Sequence, residues 1–126
     1  MKPLEWLGKT KEQLCAFPRD VCRDIGYALH FAQSGDKHPA AKPLKGFIGA
    51  GVLEVVENYD GNTYRVVYTV RFANVVYVLH VFQKKSRRGI ATPRQDLELI
   101  QGRLKDAREH YRRKYQTRIG RIGGNR

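Results

Sequence analysis

The chain has 126 residues, 41% of them hydrophobic and 29% charged, and a formal net charge of +12. Such a composition excludes a disordered or low-complexity chain and suits one globular domain with its own core. No run reaches the roughly 20 apolar residues a membrane helix needs. The opening Met1-Lys2-Pro3-Leu4-Glu5-Trp6 lacks the apolar stretch of a secretion signal, so a cytoplasmic protein is expected.

The first six residues can form a short edge strand. Thr10 with Gln13 three positions on reads as a capping box opening a short helix, which Pro18 interrupts. Pro18 can in turn open a second helix. In it Phe17, Val21, Ile25, Ala28, Leu29 and Ala32 recur at three-to-four spacing and form an apolar stripe. Gly35 stands where a helix C-cap needs a left-handed residue. Residues 36–45 are polar, contain Pro39 and Pro43, and read as a loop.

Gly46, Gly49 and Gly51 lead into a strand over Val52–Glu57, and Asp60-Gly61 is a hairpin turn signal. Thr63–Arg71 and Val75–Gln83 read as two further strands, the last almost wholly apolar as a central strand would be. Short links between the three imply an antiparallel meander. After the basic run Lys84-Lys85-Ser86-Arg87-Arg88, Thr92-Pro93-Arg94-Gln95 looks like a second capping box. Leu97, Ile100, Leu104, Ala107 and Tyr111 give the following helix one apolar face. The expectation is α+β: two N-terminal helices, a meander sheet and a C-terminal helix, with the helices on one sheet face. A single domain is expected over residues 1–115, with 116–126 a basic flexible tail.

The charge is lopsided. Residues 1–83 carry ten Lys/Arg and eight Asp/Glu, whereas 84–126 carry fourteen and four. A surplus concentrated in one third of the chain points to a polyanion, with a solvated basic helix as the plainer reading. No basic amphipathic segment with bulky aromatics suggests a membrane surface. Cys15 and Cys22 are too few for a zinc site and read as buried structural thiols. The four histidines and the carboxylates are scattered, so no metal or other cofactor is expected.

Metal-free cleavage of a nucleic acid requires RNA, whose 2′-hydroxyl supplies the nucleophile. It needs a base, cations facing the phosphate, and an acid for the leaving oxygen. A lysine acts as a base only where neighbouring cations or burial weaken its hold on a proton. Lys84 and Lys85, beside Arg87 and Arg88, are the place to look. Arg65, inside the apolar run Tyr64-Arg65-Val66-Val67-Tyr68, needs a ligand or an ion pair with Glu54 or Glu57. His80 shares a strand face with Phe82 and Lys84 by the two-residue period, either as a hydrogen-bonded core residue or as a functional one.

These features occur in a familiar order: Lys42-Pro43-Leu44-Lys45-Gly46, Val52-Leu53-Glu54, Tyr64-Arg65-Val66-Val67-Tyr68, Val78-Leu79-His80-Val81-Phe82-Gln83-Lys84-Lys85-Ser86 and Thr92-Pro93. The set resembles the phage-derived HigB-like toxins of the RelE/ParE superfamily over residues 3–112. That resemblance implies a RelE-like fold, cleavage of mRNA in the ribosomal A site, and a helix-turn-helix, HigA-like antitoxin that silences the toxin. It places Lys45, Arg65, Lys84 and Lys85 on a concave basic face. Arg65 is then expected on the scissile phosphate and the lysine pair in proton transfer and charge stabilisation, with Lys45, His80, Arg87 and Arg88 contacting RNA or phosphate. Val56 departs from the pattern, because the family often has a basic residue there. Two other readings stay open: a ParE-like gyrase inhibitor, and a non-catalytic RNA-binding module stacking bases on Tyr64, Tyr68, Tyr77 and Phe82.

Overall fold

The computed structural model describes residues 1–47, 49–84 and 91–116. The elements run β1 (Leu4–Trp6), α1 (Thr10–Cys15), α2 (Arg19–Gln33), β2 (Lys42–Pro43), β3 (Val52–Tyr59), β4 (Asn62–Thr69), β5 (Val76–Lys84) and α3 (Arg94–Tyr111), closed by a π-helical turn over Arg112–Gln116. The sheet order is β1-β5-β4-β3-β2. The β3-β4-β5 meander is antiparallel as expected, and β1 joins β5 in parallel, making a mixed five-stranded sheet. This is an α+β arrangement compatible with a RelE-like fold.

Local chemistry explains most boundaries. Asp60 (φ 50°) and Gly61 (φ 79°) both take left-handed conformations, the requirement of a type I′ two-residue hairpin. Gly35, at φ 85°, ends α2: its N–H reaches the Ala32 carbonyl at 3.0 Å and the Asp36 N–H reaches Phe31 at 2.8 Å, a Schellman motif. Lys42 and Pro43, expected in a loop, pair with Glu54 and Leu53. A two-residue edge strand accepts proline, because the missing N–H can face away from the ladder.

Three expectations need correction. Thr10 does not cap α1; Lys9 is the N-cap, and the Thr10 hydroxyl is buried without a hydrogen-bond partner among the described residues. Cys15, at the end of α1, is exposed, and only Cys22 is partly buried; they sit on separate helices and both are free. The helices cover both sheet faces rather than one. Leu14, Val21, Ile25, Ala28 and Leu29 pack on Val55, Val66, Tyr68, Val78 and Val81. On the opposite face Ile100, Leu104 and Ala107 of α3 pack on Val52, Val67, Tyr77 and Leu79. Two-sided burial is why β5 is almost continuously apolar rather than alternating, and why β4 is buried from Thr63 to Thr69. Each fully buried Ile or Leu, such as Ile25 and Leu29, contributes about 1.5–3 kcal/mol.

Candidate functional site

The α3-facing side of the sheet is where polar side chains enter the core. By the two-residue period, Thr63, Arg65 and Val67 of β4 share this face. In register with them on β5 stand Lys84, Phe82 and His80. From β3, Val56 lies opposite Arg65 and Glu54 opposite Val67. The place where a second cation was looked for is therefore occupied by an apolar side chain directly across from Arg65.

A β-bulge creates this row. Tyr68 pairs with Val78 but Val67 pairs with His80, so Leu79 is an extra residue in β5. Before it, Val76 and Val78 point to α2 while Tyr77 and Leu79 point to α3. After it, His80 and Phe82 also point to α3, and Val81 to α2. Strict alternation would have put His80 and Phe82 beside Val78 in the α2 core. Bulges commonly re-aim side chains in this way. The Leu79 carbonyl accepts a hydrogen bond from Arg103 Nη1 at 2.9 Å. Gly8 makes room for that arginine: its φ is +59°, and a Cβ there would lie 2.5 Å from Arg103 Nη2.

Two polar groupings result. In the first, Arg65 is buried, with 3% of the residue exposed. Its Nη1 lies 3.4 Å from Glu54 Oε2 and donates to Thr92 Oγ1 at 3.2 Å. Thr92 Oγ1 in turn donates to the same Glu54 oxygen at 2.7 Å. The ion pair with Glu54 is thus the one the sequence offered as an alternative to a ligand. Thr92 is not a helix cap, because Pro93 occupies the N-cap position and α3 starts at Arg94. Its hydroxyl serves Arg65 and Glu54 instead.

In the second grouping, His80 Nε2 lies 2.8 Å from Asp96 Oδ1. The imidazole stacks on Phe82, with centroids 4.4 Å apart and planes 17° from parallel. Burial lowers the His80 pKa below its ordinary 6.5; the Asp96 hydrogen bond and charge oppose this, and the Arg103 charge adds to it. Sequence reasoning missed Asp96. The signal was there: Asp96 precedes Ile100 by four positions and so extends the buried stripe of α3, where a carboxylate requires a partner.

Lys84 ends β5, half-buried, on the same face, and its carbonyl accepts from Thr63 Oγ1 at 3.3 Å. Lys45 is exposed just after β2, and no described hydrogen bond or ion pair ties it to either grouping. Lys85, Arg87 and Arg88 lie outside the described residues, as does the expected 116–126 tail except for Gln116, which ends the π-helical turn. Tyr64, Tyr68 and Tyr77 are at most 5% exposed, so they pack the core and offer no stacking platform. Burial pushes the Tyr68 hydroxyl up to about 12 and Tyr77 up as well, which removes both from acid–base work near neutral pH. Among the described residues no group of three or more His, Cys, Asp or Glu could hold a metal ion, and no helix is long and apolar enough to cross a membrane.

Fold and site together define a small basic α+β protein with guanidinium, imidazole and lysine set along one sheet face. The family described as phage derived protein Gp49-like (DUF891) matches residues 12–105, and the chain belongs to it. That family is of the RelE-like toxin type, which bears out the sequence resemblance at that level. No curated protein and no solved structure matches the chain. The matched span contains Glu54, Arg65, His80, Lys84, Thr92 and Asp96.

Proposed function

We propose that this chain is the toxin of a type II toxin–antitoxin pair, HigB-like, acting as a ribosome-dependent endoribonuclease on mRNA in the cytoplasm. A helix-turn-helix, HigA-like antitoxin is its silencing partner. The observation that carries the reading is the row Arg65, His80 and Lys84 on one face of β4 and β5, in a chain of this family.

The chemistry uses only protein side chains and the 2′-hydroxyl of the RNA. Arg65 binds the scissile phosphate, which takes the place beside the guanidinium that Glu54 and Thr92 hold in the free protein. Lys84, with Lys85, neutralises charge building on the phosphoryl oxygens and protonates the leaving 5′-oxygen. Lys45, Arg87 and Arg88 hold flanking phosphates, a contact that weakens steeply with salt.

The test is induced expression in bacteria of the wild type and of a Lys84→Ala/Lys85→Ala double variant. The wild type should stop protein synthesis at once, and the variant should grow normally while accumulating as folded protein. DNA breaks without an early translation block would instead indicate a gyrase inhibitor. A fully toxic double variant would overturn the assignment of the lysines.

A further inference from the structure

We infer that His80 is the proton acceptor of this site, working through Nδ1, and that Asp96 is the positioning residue that fixes its tautomer. The inference rests on the nuclease reading and extends it from phosphate contact to proton transfer.

The hydrogen-bond inventory sets the tautomer. An ionised carboxylate only accepts, so the 2.8 Å contact between His80 Nε2 and Asp96 Oδ1 places the ring proton on Nε2. Nδ1 then carries the lone pair. It is buried and has no hydrogen-bond partner among the described residues. Leaving a buried polar atom unsatisfied costs about 1–3 kcal/mol, and native proteins rarely do so without a use for it. Every other restraint on the ring is in place. Asp96 lies in the first turn of α3, where the helix dipole favours a negative charge. Phe82 stacks on the ring plane, and the bulge at Leu79 turns the side chain to the α3-facing side of the sheet, which Arg65 and Lys84 share.

The charges acting on the imidazole are Asp96 and Arg103 from α3; Arg65 from β4, Glu54 from β3 and Lys84 from β5 share its sheet face. Burial lowers the imidazole pKa, so near neutral pH the ring is uncharged and able to accept. The 2′-hydroxyl gives its proton to Nδ1, and its oxygen forms a bond to phosphorus. The bond from phosphorus to the 5′-oxygen breaks, and that oxygen takes a proton from the Lys84 ammonium. The products are a 2′,3′-cyclic phosphate and a 5′-hydroxyl, and the His80 proton returns to Lys84 through water.

A core histidine with a purely structural role makes a different prediction, which single-turnover cleavage of mRNA on pre-assembled ribosome complexes can separate over about pH 5.5 to 8. The wild-type rate should fall on the acid side with an apparent pKa below 6.5. His80→Gln keeps a donor for Asp96, and should lose roughly a hundredfold or more together with that acid limb. Asp96→Asn removes the charge that supports the imidazolium, so its limb should move to lower pH with a smaller loss of rate. If His80→Gln does not fold, Asp96→Asn alone decides, because Asp96 is partly exposed. Folded variants with the wild-type rate and an unmoved limb would overturn the inference and leave the nuclease reading intact. No cleavage by the wild type would overturn that reading, and the inference with it.

Discussion

Removing the Glu54 carboxylate should be among the most destabilising single changes on the α3-facing side of the sheet. The Arg65 side chain is 4% exposed and that of Glu54 16%, with 3.4 Å between the charged atoms. At an effective dielectric of about 20, that separation corresponds to an attraction of about 5 kcal/mol. Desolvation of both groups offsets part of it. Glu54→Leu removes the carboxylate 3.4 Å from the buried Arg65 guanidinium, and should cost about 3 kcal/mol. For a domain of this size that is a fall in Tm of about 12 °C. Arg65→Met should cost less, because Glu54, on the more exposed side, can turn to water. The double variant Glu54→Leu/Arg65→Met should recover most of the loss, because Val56, Val67 and Phe82 already line the place. Denaturant unfolding of the four proteins gives the coupling energy directly. A double variant whose loss equals the sum of the singles would refute the claim that the pair acts as one buried unit.

Gly8→Ala should destabilise by about 1–3 kcal/mol, seen in thermal unfolding, because it combines a φ of +59° with a Cβ 2.5 Å from Arg103 Nη2. His80 should make stability depend on pH. Its folded pKa is lowered, so below 6.5 the unfolded chain binds more protons, and stability should fall as pH drops through that window. His80→Gln should flatten that slope in unfolding curves taken at several pH values; an unchanged slope would refute it. Glu57 works in the opposite sense, since burial and the nearby Asp24 carboxyl raise its pKa above 4.5. Acidification toward 4.5 therefore relieves that strain, and Glu57→Gln should raise stability at pH 7.

Much of the fold was legible because it depends on short-range signals. The α2 stripe, Gly35, Asp60-Gly61 and the apolar β5 all specify structure within a few residues of themselves. What escaped was long-range. Leu4–Trp6 could be read as a strand, but its parallel seat against Val76–Val78 follows from where the whole chain returns. Covering both sheet faces rather than one follows from the same packing. The site shows the same division. Arg65 and His80 stood out as polar residues in apolar strands. Thr92 misled, because Thr-Pro before a helix has the residues of a cap, and only the approach of β3 and β4 shows its hydroxyl turned to Glu54 and Arg65. The Leu79 bulge leaves no mark in the run Val75–Leu79, which is apolar throughout. Lys84 was placed correctly on the His80 and Phe82 face because the alternation is regular on that side of the bulge.

Cleavage of mRNA by side chains and the 2′-hydroxyl alone leaves its signature in the chemistry of the cut ends. Purified protein is added to a reconstituted translation reaction, and the mRNA fragments are mapped and their termini typed. Cuts are expected within codons on translated mRNA only, each leaving a 2′,3′-cyclic phosphate and a 5′-hydroxyl, and none with the Lys84→Ala/Lys85→Ala variant. Intact mRNA, or 5′-phosphate ends made by an attacking water, would contradict that expectation.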